Sequence, residues 1–353
     1  MRVAIIITRP VLLGPSIVMK SLVTSLSGIE NLRVELYCLG KPKEDEEEFD
    51  YHWVKFDLSR FRFEDYDVIH TNGIRPDMIA FLFRRRIRRH ISTIHSLVYE
   101  EFLLARNRLF SVVFGKIWLL FWKRADKLVC VSNSVRNYYS KWFPSGKLEV
   151  IHNGIPEKVS FEESDHDIRM RIDHFRNRGL KVIGTAAILT RLKNTQLLLE
   201  LVAARSEFAC VVIGNGKELG NLKELAEKLD ISNRCFFAGF RKEAANYFRY
   251  FDFYVAASLS EGFGLAVVEA AREKVPVVCS GIAAFRELFT PDEVTFFDPA
   301  DCNSLSAALD IASVKGKGKS EAAYSAFRVK YTETHMGFNY YELYKSVCIQ
   351  KPN

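Results

Sequence analysis

The stretch 258-SLSEGFGLAVVEAAREKVPVV-278 sets the reading of this chain. Residues 253–258 and 275–279 are apolar runs of strand length, and the segment between them is long enough for a helix. Strand, helix and strand make a βαβ unit, the repeat of a parallel sheet. Gly262 and Gly264 let the chain turn sharply and leave backbone N–H groups unobstructed where the helix starts, near Leu265. Unpaired amides and the helix dipole attract an anion there, and a phosphate fits. Glu261 would compete with that phosphate unless its carboxylate faces something else, such as sugar hydroxyls or developing positive charge. Glu269 lies within about two turns of the glycine loop, and helical side chains lean back toward the N-terminus, so its carboxylate can reach the loop mouth. An anion site edged by two carboxylates points to a phosphorylated sugar. A solvated helix face, with Glu269 beside Arg272 and Glu273, is the competing explanation of the same residues.

The chain has 353 residues, enough for two domains, with 48% hydrophobic and 26% charged residues, the balance of a soluble globular protein. Seven cysteines without a Cys-x-x-Cys spacing, among them Cys130, Cys210 and Cys279 inside apolar runs, predict reduced thiols and a cytoplasmic setting. The opening run 1-MRVAIII-7 is too short for a signal peptide, and no run reaches membrane-spanning length; the longest, 110–122, is interrupted by Gly115 and Lys116. The net charge of +7 is uneven: residues 43–48 form an acidic loop, whereas Arg84, Arg85, Arg86, Arg88 and Arg89 form a basic cluster. Such a cluster serves either an anionic membrane or acidic glycan, or nothing beyond solvation. Nucleic acid is disfavoured, because no aromatic-interleaved or recognition-helix motif accompanies it.

Strands alternate with helices almost throughout. Apolar runs at 3–7, 33–39, 68–70, 91–95, 128–131 and 148–151 predict one doubly wound sheet, and runs at 181–188, 208–213, 235–237, 253–257, 275–279 and 294–297 a second. The turn at 152–156 and the polar stretch up to Gly179 are expected to connect the two. The fold class is therefore α/β, with Rossmann-like domains at 1–157 and 158–335, and an aromatic-rich helix at 336–353 expected to cross back to the first. In open α/β sheets, ligands bind at the carboxyl ends of strands, so two facing domains are expected to hold a cleft between those ends. Three loops would line it: residues 12–16 with Gly14, residues 189–194 with the cations Arg191 and Lys193, and residues 214–216. The last, with Gly220, imitates a dinucleotide fingerprint, but the following strand ends in Gly239 instead of the acidic residue a nicotinamide ribose wants.

Residues 211–280 (VVIGNGKELG…YVAASLSEGFGLAVVEAAREKVPVVCS) resemble the C-terminal domain of retaining nucleotide-sugar glycosyltransferases of the GT-B fold, family 4, with Glu261 and Glu269 as the E-x7-E element. Gly14, 67-DVIH-70, 93-TIH-95, 125-ADKLVCVS-132 and 150-VIHNGI-155 echo the same family through the first half. The resemblance implies roles. Glu269 binds the nucleotide ribose and Glu261 holds donor-sugar hydroxyls. Gly262, Phe263, Gly264 and Leu265 bring backbone amides to sugar and phosphate, and Gly14 also belongs to the donor site. Lys193, helped by Arg191, neutralises the departing diphosphate, and His95 stands near donor sugar and acceptor. Ile188 occupies the slot where the family usually carries an arginine, the first loop has Gly14-Pro15 in place of two glycines, and Lys274 stands where glycine is common.

The implied activity is transfer of a hexose or N-acetylhexosamine from a nucleotide-diphosphate sugar, UDP-linked by preference, to a glycan or lipid-linked acceptor. The setting implied is bacterial cell-surface polysaccharide or lipopolysaccharide synthesis at the cytoplasmic face of the membrane. Attack on the front face with retained stereochemistry is expected, with no cofactor and no metal: the Asp65/Asp67 and Asp165/Asp167 pairs fall outside the cleft loops, and Lys193 with Arg191 supplies the charge a metal would. An epimerase of the same fold, or a protein that binds nucleotide sugars without turnover, would use the same donor residues.

Overall fold

The computed structural model of the chain describes residues 1–12, 14–43, 46–98, 108–158 and 166–349. Its backbone divides into two units, Met1–Pro156 with the segment from Lys330 onward, and Glu157–Val329.

The first unit is built on seven parallel strands, β1 (Arg2–Ile7), β2 (Arg33–Cys38), β3 (Val54–Lys55), β4 (Val68–Asn72), β5 (His90–Ile94), β6 (Lys127–Cys130) and β7 (Leu148–Val150). They are ordered β3-β2-β1-β4-β5-β6-β7. Residues 3–7, all buried, are β-branched or small, which is what a strand covered on both faces requires. Helices α1 (Gly14–Leu26), α2 (Ile74–Leu82), α3 (Arg108–Trp122) and α4 (Asn133–Tyr139) cover the sheet. The order reverses at β1 and β4, so the loops after these two strands open at a switch point, where such sheets hold ligands.

The second unit has six parallel strands, β8 (Lys181–Ala186), β9 (Phe208–Ile213), β10 (Cys235–Gly239), β11 (Phe253–Ala256), β12 (Val277–Ser280) and β13 (Thr295–Phe297), ordered β10-β9-β8-β11-β12-β13. Its helices are α5 (His166–Asn177), α6 (Gln196–Ala204), α7 (Leu219–Lys228), α8 (Leu265–Arg272), α9 (Ala283–Leu288) and α10 (Cys302–Lys330). Ile183, Cys210, Val212, Val255 and Val278 from the strands pack with Leu198, Leu201, Leu305 and Leu309 in one core. The switch point lies between β8 and β11, which brings residues 187–194 and 257–264 together.

Several sequence expectations change. The described part of the polar stretch before Gly179 is no plain connector: α5 buries Ile168, Ile172 and Phe175, spaced four and three apart on one helical face. Gly115 and Lys116, which interrupt the apolar run, nonetheless lie within one helix, α3, since one glycine costs a helix only about 1 kcal/mol. Strand β8 stops at Ala186, and Ile188 is 54% exposed in the loop beyond. The chain rejoins the first unit from Lys330, ahead of residue 336. There Ile155 N–H donates to Tyr331 O (2.9 Å) and Glu333 N–H to Ile155 O (2.9 Å), which sews the return segment to the end of the first pass. The final helix, α11 (Glu333–Ile349), buries Met336, Tyr340, Leu343, Tyr344 and Val347 and packs on α1. Gly337 makes that approach feasible, because a Cβ there would lie 2.2 Å from Ser25 Oγ. Among the described residues no helix is long and apolar enough to cross a membrane.

Candidate active site

In the second unit the site is assembled by the two switch-point loops. After β8 the chain makes a short 3-10 turn, Arg191–Lys193, closed by Asn194 in the left-handed region (φ 50°), whose Nδ2 donates to Pro299 O at 3.0 Å. After β11 the second loop is tied to the first by Leu259 N–H donating to Leu192 O at 2.8 Å. Ser280 Oγ at the end of β12 donates to Ser258 O at 2.6 Å. This framework sets Lys193 Nζ 2.5 Å from Glu261 Oε1, and Ser258 Oγ donates to the same oxygen at 2.7 Å. Cation and carboxylate are thus held side by side, both largely withdrawn from solvent.

Gly264 caps α8 with φ 108°, and a Cβ at this position would lie 2.4 Å from the buried Phe285 ring. Only glycine meets both demands, so the turn into α8, whose start favours an anion, depends on it. Phe263 is buried, so it can offer a ligand only its backbone. Glu269, four residues into α8, is half-buried, and burial pushes its carboxyl above the usual glutamate range; Arg272 opposes the rise and Glu273 adds to it. Arg191 is not brought to Lys193: its side chain is 80% exposed and its Nε lies 3.5 Å from Glu218, so the cation beside Glu261 is Lys193. A 3-10 turn places residues two apart on different sides, which the spacing Arg-x-Lys did not reveal.

In the first unit, the loops after β1, β4 and β5 surround a cavity of about 170 Å³, lined by Thr8, Ser16, Asn72, Thr93, His95 and Trp118 among others. Gly14 opens α1 beside it, and Asn72 Nδ2 anchors the loop by donating to Pro15 O at 3.1 Å. The His95 ring is half-buried. Its Nε2 is closed to solvent with no hydrogen-bond partner among the described residues, and burial pulls its pKa down to about 4, so the ring is neutral at pH 7. His70 is structural: Nδ1 meets Tyr344 Oη and Nε2 meets Thr93 Oγ1, both at 2.7 Å.

A feature missed in the sequence lies behind the cavity. Asp77, in the first turn of α2, is fully buried. Its Oδ2 accepts the indole N–H groups of Trp118 (2.7 Å) and Trp122 (2.8 Å), while Oδ1 accepts from Ser92 (2.8 Å) and Thr71. The signal available beforehand was the four-residue spacing of two tryptophans on one apolar helix.

Three members of the arginine cluster are ion-paired. Arg84 makes a forked pair with Asp126 (2.8 and 2.9 Å), Arg86 pairs with Glu64 (2.7 Å), and Arg88 with Asp67 (3.1 Å). Carboxylates distant in sequence pair with these three, and Arg85 and Arg88 are exposed. Among the described residues no group of three His, Cys, Asp or Glu side chains is placed to hold a metal ion.

Two Rossmann-like units, the second with a glycine-capped helix start and a lysine–glutamate pair at its switch point, are the architecture of the GT-B class of sugar-transferring enzymes. Residues 168–326 match the sequence profile of glycosyl transferases group 1 and residues 16–159 that of glycosyltransferase family 4, and the chain belongs to this family of GT-B glycosyltransferases. It is similar to the O-antigen biosynthesis glycosyltransferase WclY of Escherichia coli, with 28% identity over 361 residues covering 98% of this chain and 99% of that protein. The lipopolysaccharide core biosynthesis mannosyltransferase LpsB of Rhizobium meliloti is 31% identical over 144 residues, 38% of this chain and 40% of its own length. Anabaena Alr3699/HepE, solved in complex with UDP and glucose, has the same fold, with a TM-score of 0.79, 16% identity, and coverage of 98% and 99% of the two chains.

Proposed function

We propose that the protein moves a hexose or N-acetylhexosamine from a UDP-sugar to a glycan or lipid-linked acceptor in cell-surface polysaccharide or lipopolysaccharide synthesis, with retention at the anomeric carbon. The observation that carries this reading is the Lys193–Glu261 pair set against the glycine-capped start of α8, with Glu269 farther along the same helix. HepE, of the same fold, binds UDP and glucose. A relative of 22% identity over 231 residues is an Escherichia coli galactosyltransferase whose name gives UDP-Gal as donor and a diphosphoundecaprenol-linked sugar as acceptor.

Glu269 takes the ribose hydroxyls, and the amides of residues 262–265 take the diphosphate and sugar. As the bond from anomeric carbon to phosphate oxygen breaks, its electron pair leaves with the diphosphate, and Lys193 and the α8 dipole stabilise that charge. Glu261 stays on the sugar side. The acceptor oxygen bonds to the anomeric carbon on the face the phosphate leaves, and its proton passes to the departing phosphate oxygen. His95, neutral, serves sugar hydroxyls as a hydrogen-bonding group. Lys193 supplies the charge a divalent ion would otherwise bring, so activity is expected to survive chelator.

Recruitment to an anionic membrane is part of the proposal, on a surface other than the arginine cluster. Val113, Ile117 and Leu120 form an exposed stripe on α3, continued by Met78 and Leu82 on the adjacent α2 and fringed by Lys116, Lys123 and Arg124. An apolar stripe with a basic margin suits the headgroup region of a bilayer.

Calorimetric UDP binding and transfer assays test the reaction. Glu269→Ala should lose UDP binding, Glu261→Ala should keep binding and lose transfer, and Lys193→Ala should lower transfer by about two to three orders of magnitude. Identical behaviour of both glutamate variants, or strict dependence on a divalent ion, defeats the assignment. Donor consumption without acceptor would mark an epimerase, and binding without turnover of any acceptor a non-catalytic protein.

A further inference from the structure

A buried carboxylate whose partners are four neutral donors is a poor way to stabilise a core, since well-packed apolar residues would do as well or better. Asp77 supplies direction instead. Both indole N–H groups converge on one oxygen, which fixes the two rings 5.1 Å apart at 37°. Trp122, 1% exposed, is the inner ring, braced also by Ser92 Oγ at 3.0 Å. Trp118 is the outer ring, half-exposed on the cavity that Asn72, Ser16, Thr93 and His95 line with polar atoms. One flat apolar wall with hydrogen-bonding groups around it matches the C–H face and hydroxyl rim of a sugar ring.

We propose that Asp77 is a positioning residue for the acceptor: through the two indole N–H groups its carboxylate presents Trp118 as the platform on which an acceptor sugar ring stacks. This rests on the glycosyltransferase reading above, but its test does not need turnover.

The full chain is titrated with the methyl glycosides of glucose, galactose, mannose, N-acetylglucosamine and N-acetylgalactosamine at millimolar concentrations, followed by saturation-transfer NMR and indole fluorescence, with UDP titrated separately. At least one glycoside should bind and quench the indole signal. Trp118→Ala should weaken it about tenfold while UDP binding holds. Asp77→Asn should weaken it several-fold and move two indole N–H resonances. In a Trp118→Phe background, which keeps a ring but removes the N–H, Asp77→Asn should add little, because the two residues act through one contact. No glycoside binding, equal binding in Trp118→Ala, equal weakening of UDP, or an undiminished Asp77→Asn effect in the phenylalanine background each overturns the proposal. If wild-type protein binds a glycoside by this pattern but ignores UDP, the donor reading fails and the platform stands.

Discussion

Glu261 and Glu269 leave the same loop-helix unit and meet different surroundings. Glu261 is anchored by Lys193 and Ser258, whereas Glu269 is pushed up by burial. If Glu269 takes the ribose hydroxyls as proposed, it does so best as a carboxylate, and UDP affinity should fall as pH drops through its raised pKa, at a less acidic pH than for an ordinary glutamate. Stability runs the other way. Between the ordinary and the raised pKa the folded chain holds the extra proton, so this group's contribution declines as pH rises across that window. Calorimetric UDP titrations from mildly acidic to neutral pH check the point: Glu269→Gln should bind more weakly at neutral pH and lose the slope, and parallel curves for the two proteins would refute it. The pair itself was legible in the sequence because glycines and carboxylates announce a helix start. Asp77 was not, because its donors come from Thr71, Ser92, Trp118 and Trp122 on three other elements, and only the fold brings them to one carboxylate.

At the scale of elements, periodicity revealed what apolar content hid. Helix α5 reads as a charged connector until Ile168, Ile172 and Phe175 are seen to share a face. The strands were read nearly to their ends, apart from the two-residue β3, because β-branched runs leave few alternatives. For the arginine cluster, charge in sequence says nothing of Asp126, Glu64 and Asp67 waiting across the fold to pair with three of its members. The α3 stripe gives the sharper expectation. Wild-type protein should co-sediment with phosphatidylglycerol-containing vesicles at low salt and far less with pure phosphatidylcholine, and Val113→Asp with Ile117→Asp and Leu120→Asp should abolish binding. These side chains are exposed, so the triple variant should keep the wild-type melting temperature. Failure of the wild-type chain to bind anionic vesicles would leave the stripe without this role.

On the scale of the molecule, the two units differ in how the chain builds them. Residues 157–329 are continuous, whereas the first unit needs the segment from Lys330. Without α11, His70 and Thr93 lose the hydroxyls of Tyr344 and Tyr340, which leaves buried polar atoms unpaired, and α1 loses its neighbour. Residues 157–329 expressed alone should therefore unfold cooperatively and retain UDP binding, while 1–156 alone should lack a cooperative transition until a peptide of residues 330–349 is added. Cooperative melting of 1–156 by itself would contradict this account.

The return of the chain also fixes a chronology. On a ribosome the first sheet emerges before α11 exists, and its surface for α11 stays uncovered until residues 333–349 have followed the whole of the second unit. The second sheet, though translated later, has all its parts first. The half made first is thus the half finished last, and through that interval its uncovered surface is what a holding chaperone would meet.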